Sequence, residues 1–256
     1  MKTIMRFDDI KIEDIKNIAL KAGDVIMEIY KEDFEVEFKA DNSPLTKADK
    51  LSNELICSSL EKLYPQIPIM SEENKQVEYE ERKNWEYYWC IDPIDGTKEF
   101  IKKNGEFTVN IALIYKNKPV LGVVYAPAIE DLYWAKENEG AFKNNKKLPF
   151  TKNSDENFTV VASKSHLSKE TQEFIDELAK RYPLLTTNSK GSSLKLCMVA
   201  EGIADIYPRM APTMEWDTAA ADAIVRIAGK MTYQYEKNIP LMYNKENLLN
   251  PWFIVK

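Results

Sequence analysis

The chain has 256 residues, 44% hydrophobic and 30% charged, with a formal net charge of −6. That length suffices for one large domain or two smaller ones with a sizeable core. The acidic balance, without any basic block, argues against a nucleic-acid polymer or an anionic membrane surface as partner, while a small phosphorylated ligand held through metal ions stays open. No run approaches the roughly 20 apolar residues that span a membrane. The N-terminus, with Asp8, Asp9, Glu13 and Asp14, lacks the apolar core of a signal peptide. Cys57, Cys90 and Cys197 are scattered, odd in number and without a CxxC pair. They read as reduced thiols in a reducing cytoplasm, with peripheral membrane association left open.

In chain order, Ile12, Ile15, Ile18, Ala22, Val25, Ile26 and Ile29 recur at three to four residues and predict an amphipathic helix capped by Asp8 or Asp9. Phe34, Val36 and Phe38 alternate with Glu35, Glu37 and Lys39, as in a half-buried strand. After a turn at residues 41–44, Thr46 is the expected N-cap of a second helix running to Leu63, and Ile67 to Met70 is a short strand. Residues 74–86 are charged and unpatterned and read as a mobile loop. Tyr88 to Ile91, Phe107 to Tyr115, Val120 to Tyr125 and Leu132 to Ala135 read as strands, the last three consecutive and antiparallel. Gly140 to Pro149 is turn-rich, and polar residues 152–157 mark a candidate boundary. Beyond it, strands at 158–162, 184–187 and 203–207 alternate with helices at 169–180, 192–200 and 217–228. Two parts are expected: residues 1–155, α+β with an antiparallel sheet, and residues 156–256, a smaller α/β part.

The chemistry concentrates where the apolar run Tyr88-Trp89-Cys90-Ile91 ends in Asp92-Pro93-Ile94-Asp95-Gly96-Thr97. Two carboxylates at the mouth of a buried strand are costly unless neutralised, and a bound cation is the obvious neutraliser. Asp49 near a helix start, Glu72 after a strand and Asp217 opening a helix are the other acids at element ends. Singly, Asp49 and Asp217 could be acids favoured by a helix dipole, and Glu72 a solvated loop charge. An all-oxygen set without histidine or cysteine favours Mg²⁺ over zinc or copper.

Asp92-Pro93-Ile94-Asp95-Gly96-Thr97 resembles the signature of the lithium-sensitive, magnesium-dependent phosphatases of the inositol monophosphatase family. Trp216-Asp217-Thr218-Ala219-Ala220 resembles its second signature, and Thr46-Lys47-Ala48-Asp49 and Ser71-Glu72-Glu73 match in order and spacing. The resemblance implies a layered α/β/α/β/α sandwich with two or three Mg²⁺ ions. It places Glu72, Asp92 and the Ile94 carbonyl on one ion and Asp92, Asp95 and Asp217 on a second, with Glu72 helping a weaker third. It makes Thr97 and Asp49 the pair that activates water, and gives phosphate oxygens to the backbone N–H groups of Gly96 and Thr97; Glu72 and Asp217 also border the substrate.

Within the family, Gly96 to Ile101, Asn104 to Ala112 and Gly191-Ser192-Ser193-Leu194-Lys195 resemble most closely the 3′(2′),5′-bisphosphate nucleotidases. Ile206-Tyr207-Pro208-Arg209 puts an arginine, suited to a second phosphate, where inositol phosphatases place an acid. The implied substrate is adenosine 3′,5′-bisphosphate, with Ser163, His166 (the only histidine), Gly191, Lys195 and Arg209 as nucleotide contacts, and a monomer or homodimer as the assembly. The alternatives are an inositol or fructose-bisphosphate phosphatase on the same scaffold, or a non-catalytic module in which Ca²⁺ cross-links two layers.

Overall fold

The computed structural model describes residues 6–32, 35–38, 44–151, 157–163 and 167–256. Helix α1 (Ile12–Tyr30) buries the stripe of Ile12, Ile15, Ile18, Ala22 and Ile26. Its N-cap is Lys11, because Asp8 and Asp9 are taken up in a separate 3-10 turn at Phe7–Asp9. A small ribbon of β1 (Val36–Phe38) and β2 (Pro44–Thr46) leads into α2 (Lys47–Leu63), capped by Thr46. Then follow β3 (Ile69–Ser71), the short helix α3 (Tyr79–Arg82), β4 (Tyr87–Asp95) and α4 (Thr97–Ile101). Strands β5 (Thr108–Tyr115), β6 (Lys118–Ala126), β7 (Asp131–Lys136), β8 (Gly140–Lys143) and β9 (Lys146–Lys147) run on as antiparallel neighbours. With β3 parallel to β4, they form a seven-stranded sheet in the order β3-β4-β5-β6-β7-β8-β9.

The C-terminal part comprises β10 (Thr159–Ala162), α5 (Lys169–Arg181), β11 (Thr186–Ser189), α6 (Leu194–Glu201), β12 (Tyr207–Arg209), α7 (Glu215–Ile227), β13 (Thr232–Gln234) and β14 (Phe253–Val255). Strands β10 and β11 pair in parallel, and β12-β14-β13 form a three-stranded antiparallel sheet. Strand β13 and strand β14 lie in a region for which the sequence pattern made no assignment. Alternation along β4 divides the core: Trp89 and Ile91 face α1 and α2, whereas Tyr88 and Cys90 face α6 and α7. A third cluster of Val160, Ala162, Ile175 and Ile206 seats α5 on the smaller strands. The layers are therefore helices, large sheet, helices, small sheets, helix. The central cluster draws on residues from both sides of 155, so the two parts share a core.

What lets α7 lie close to the sheet is a row of small residues in register across five strands: Cys90, Ala112, Gly122, Ala135 and Ala141. Ala219, Ala220 and Ala223 of α7 are buried with it. A Cβ added to Gly122 would lie 2.1 Å from the Ala220 carbonyl oxygen and 2.8 Å from the Ala223 Cβ. The start of α7 is held from outside as well. Glu215, fully buried, accepts from the N–H of Asn244 (2.6 Å) and of Lys245 (2.9 Å), and from Lys245 Nζ (2.6 Å).

Residues 74–86 are not the mobile loop their charge suggests. Arg82 is buried and donates to Asn244 Oδ1 (2.8 Å) and to the carbonyls of Lys245 (2.7 Å) and Glu246 (2.8 Å). These three partners lie over 160 positions further along the chain, which is why no local pattern betrays the burial. Gly122→Ala should push α7 from the sheet and cost about 1–3 kcal/mol, as overpacking does in tight cores. Denaturant unfolding measures it; a loss below about 0.5 kcal/mol would show that α7 is not seated on Gly122.

Candidate active site

Strand β4 carries apolar residues to Ile91 and then breaks register with β5 between Asp92 and Asp95. The bulge turns both acids to one end of the sheet. Asp92 is buried and accepts from the Ile94 N–H at 3.0 Å, while Ser52 of α2 donates to the Pro93 carbonyl at 3.1 Å. Gly96, at φ 91°, lies in the left-handed region that spares glycine the Cβ penalty and starts α4 at once. Asp217 arrives from α7. Carboxylate oxygens of Asp92, Asp95 and Asp217 lie within 4.8 Å of one another. Glu72, following β3, lines the same pocket and hydrogen-bonds with Asp92.

Two helix starts feed this pocket in the same way. Asp49 is the third residue of α2 and its Oδ2 accepts from Thr46 N–H (2.7 Å) and Thr46 Oγ1 (2.6 Å). Its Oδ1 receives the Thr97 hydroxyl at 3.3 Å, a proton shared with the Ile94 carbonyl at 3.3 Å. Asp217 is the third residue of α7, and its Oδ2 accepts from Met214 N–H at 2.8 Å.

The opposite wall comes from the loop at 190–193 and from β12. Gly191 sits so close to Glu106 that an added Cβ would be 2.6 Å from its carbonyl oxygen, and the Gly191 N–H is already donated to Glu106 Oε2 (2.8 Å). Lys195 is buried, and its Nζ is tied to the carbonyls of Ser192 (2.6 Å) and Lys190 (3.3 Å), 5.8 Å above the Tyr207 ring. Arg209 donates Nη2 to Pro212 (3.1 Å), while its buried Nε and the buried Ser192 Oγ have no partner among the described residues. These groups and Ser163 line one pocket of about 300 Å³ with Glu72, Asp92, Ile94, Asp95, Gly96, Thr97 and Asp217. His166 lies outside the described residues.

Crowding sets the electrostatics. Burial and then the charges of Glu72, Asp95 and Asp217 hold the Asp92 carboxyl well above the usual range. Burial and the charge of Asp95 push Asp217 up to about 8, against the Met214 N–H. Asp95 is raised by burial to about 6, with Lys195, the Ser193 N–H and Asn110 pulling the other way. Burial lowers Lys195 to about 8 despite its neighbour Asp95. Carboxylates that repel one another in a hard, all-oxygen donor set fit a small divalent cation such as Mg²⁺.

The sequence model of the inositol monophosphatase family matches residues 8–251. The chain belongs to the inositol monophosphatase family. It is 44% identical over 250 residues to the 3′(2′),5′-bisphosphate nucleotidase CysQ of Shigella flexneri, covering 95% of this chain and 98% of that protein. Against the protein of the same name from Escherichia coli K12 the identity is 43%, with the same coverage. CysQ from Bacteroides thetaiotaomicron, a bacterial member of this family, superposes with a TM-score of 0.86 at 46% identity, over 95% of this chain and 96% of that one. The Thermotoga maritima IMPase superposes at 0.77 with 26% identity, over 95% and 91%. Enzymes of the inositol monophosphatase family use divalent metal ions, and the carboxylate cluster here suits one.

Residue-type reasoning passed over Asn110, Thr108 and Glu106, which hold the site together from β5 and the segment before it. The available signal was polar residues at Thr108 and Asn110 inside an otherwise apolar strand. One consequence of the crowding is measurable. Asp95 and Asp217 bind protons more tightly folded (about 6 and about 8) than at their ordinary 3.8, so the stability they contribute without metal is greatest below about pH 4 and falls as pH rises through 6 and 8. In EDTA, Tm should drop between pH 5 and pH 8.5, Mg²⁺ should abolish most of the drop, and Asp217→Asn should flatten it. A Tm rising over that interval in EDTA would contradict the account.

Proposed function

We propose that this protein is a Mg²⁺-dependent 3′(2′),5′-bisphosphate nucleotidase that hydrolyses adenosine 3′,5′-bisphosphate to AMP and phosphate in sulfur assimilation and nucleotide recycling, with the sulfated relative as a second substrate. One observation carries the reading: a carboxylate cluster suited to a hard cation and a wall bearing Lys195, Arg209 and Ser192 face each other across a single pocket. Similarity to CysQ proteins over nearly the whole chain supports the same substrate class.

In this reading Asp92, Asp95 and Asp217, with Glu72 and the Ile94 carbonyl, hold two or three Mg²⁺ ions. Bound there, Mg²⁺ supplies the positive charge that stabilises phosphoryl transfer and acidifies the attacking water. Thr97 donates its hydroxyl proton to Asp49, which leaves the Thr97 oxygen to accept from water and aim it at phosphorus. Thr46 keeps the Asp49 carboxylate from rotating away. The N–H groups of Gly96 and Thr97 receive phosphate oxygens, and in-line displacement breaks the bond to the 3′-oxygen. Ser163, His166, Gly191, Lys195 and Arg209 contact the nucleotide. The second phosphate suits the Nε of Arg209, which has no partner among the described residues. The same proposal assigns most metal ligands to residues 1–155, the nucleotide contacts and Asp217 to residues 156–256, and the protein to the cytoplasm.

At saturating Mg²⁺ the protein should hydrolyse adenosine 3′,5′-bisphosphate with a higher kcat/KM than inositol 1-phosphate. The reverse preference would replace the substrate. Thr97→Ala should lower kcat about 10²-fold or more while leaving Mg²⁺ binding nearly intact. Asp92→Asn should lose Mg²⁺ affinity and turnover together. Exchange of those two phenotypes would refute the roles.

A further inference from the structure

We propose that Asn110 is a positioning residue that locks the metal-site carboxylate Asp95 and the pocket-facing loop at 190–193 into one unit, so that cation binding and seating of the nucleotide depend on the same buried amide. The nucleotide half of this statement rests on the function proposed above; the metal half does not.

Asn110 lies on β5 opposite Asp92, and Thr108 lies opposite Asp95, on the two sides of the β4 bulge. The Asn110 amide is engaged at both its nitrogen and its oxygen. Its Nδ2 donates to Asp95 Oδ2 (3.4 Å), and its Oδ1 accepts from Ser193 Oγ (2.9 Å) and Thr108 Oγ1 (3.1 Å). The two hydroxyls are 2.9 Å apart, and Thr108, Asn110 and Ser193 are each no more than 1% exposed. The Ser193 N–H closes the ring on Asp95. Apolar side chains could fill this space without three buried polar groups to satisfy, so packing alone does not account for them.

The loop needs such an anchor. Ser192 has φ 44°, in the left-handed region that a residue with a Cβ adopts at a cost. It is held on one side by Glu106 through the Gly191 N–H and on the other by Lys195 through two carbonyls. Asn110 supplies a third side-chain hold, and it also touches a candidate metal carboxylate, beside the loop's own Ser193 N–H. An uncharged amide orients that carboxylate and favours its ionised form, in the manner of groups placed behind metal ligands.

The test is reciprocal. Ser193→Ala, on the loop side, should weaken Mg²⁺ binding several-fold in calorimetry without nucleotide, and Asn110→Ala should weaken it about 10-fold. At saturating Mg²⁺, Asn110→Ala should raise KM for adenosine 3′,5′-bisphosphate several-fold while kcat stays within about two-fold of wild type. A merely structural role would lower Tm and leave both quantities in place. Unchanged Mg²⁺ affinity in Ser193→Ala, or an unchanged KM in Asn110→Ala, overturns the inference. Should Asn110→Ala not fold, the near-isosteric Thr108→Val takes its place, with the same two readouts and the same overturning results. A wild-type protein that leaves the bisphosphate intact would overturn the functional reading alone, since the Mg²⁺ measurements need no substrate.

Discussion

Mutual repulsion among Asp92, Asp95 and Asp217, with Glu72 beside them, is the constraint around which the molecule is built. Oxygens of the three aspartates lie within 4.8 Å of one another, and burial drives each of these carboxyls upward in pKa, with neighbouring acids adding to the rise. Such a cluster persists only if the surrounding structure enforces it. The bulge in β4 delivers two of the acids and the N-terminus of α7 delivers the third. The helix can approach closely because Gly122 and its small neighbours leave room for it. The Arg82 and Glu215 networks then pin the segment at 244–246 against the start of the helix. The shared core is thus a precondition of the site.

Economy marks the helix starts. Asp49 and Asp217 both occupy the third position of a helix and give one oxygen to the backbone just before it. That capping bond holds the carboxylate in place, while the rest of the group faces Thr97 in one case and the other acids in the second. The structural and the chemical explanations of these acids are therefore compatible. A carboxylate that must not rotate is well placed where the helix itself grips one of its oxygens.

The same overlap explains how much could be read from the chain alone. Asp92 and Asp95 were legible because acids and proline abruptly end the apolar run through Trp89 and Ile91. The helices and most strands followed from periodicity, and the family from two separated signatures. Asp49 and Asp217, taken singly, could not be told from ordinary capping acids. Arg82 was misread as part of a charged loop because its partners are distant in sequence. Lys195 was legible as a pocket residue, but not its grip on the carbonyls of Lys190 and Ser192, which depends on the path of the loop. Asn110 lies in a stretch that carries the family resemblance, but its role is not legible there, since a strand pattern shows which face a residue occupies and not what meets it.

Repulsion relieved by a cation is the central claim, and it has a direct signature. Carboxyls held partly protonated near neutrality must release protons when the cation arrives. Calorimetric titration of Mg²⁺ into metal-free protein at pH 7, repeated in buffers of different ionisation enthalpy, counts those protons. The account predicts net release, growing as the pH is lowered from 8 towards 6. Binding with no proton release across that range would contradict it.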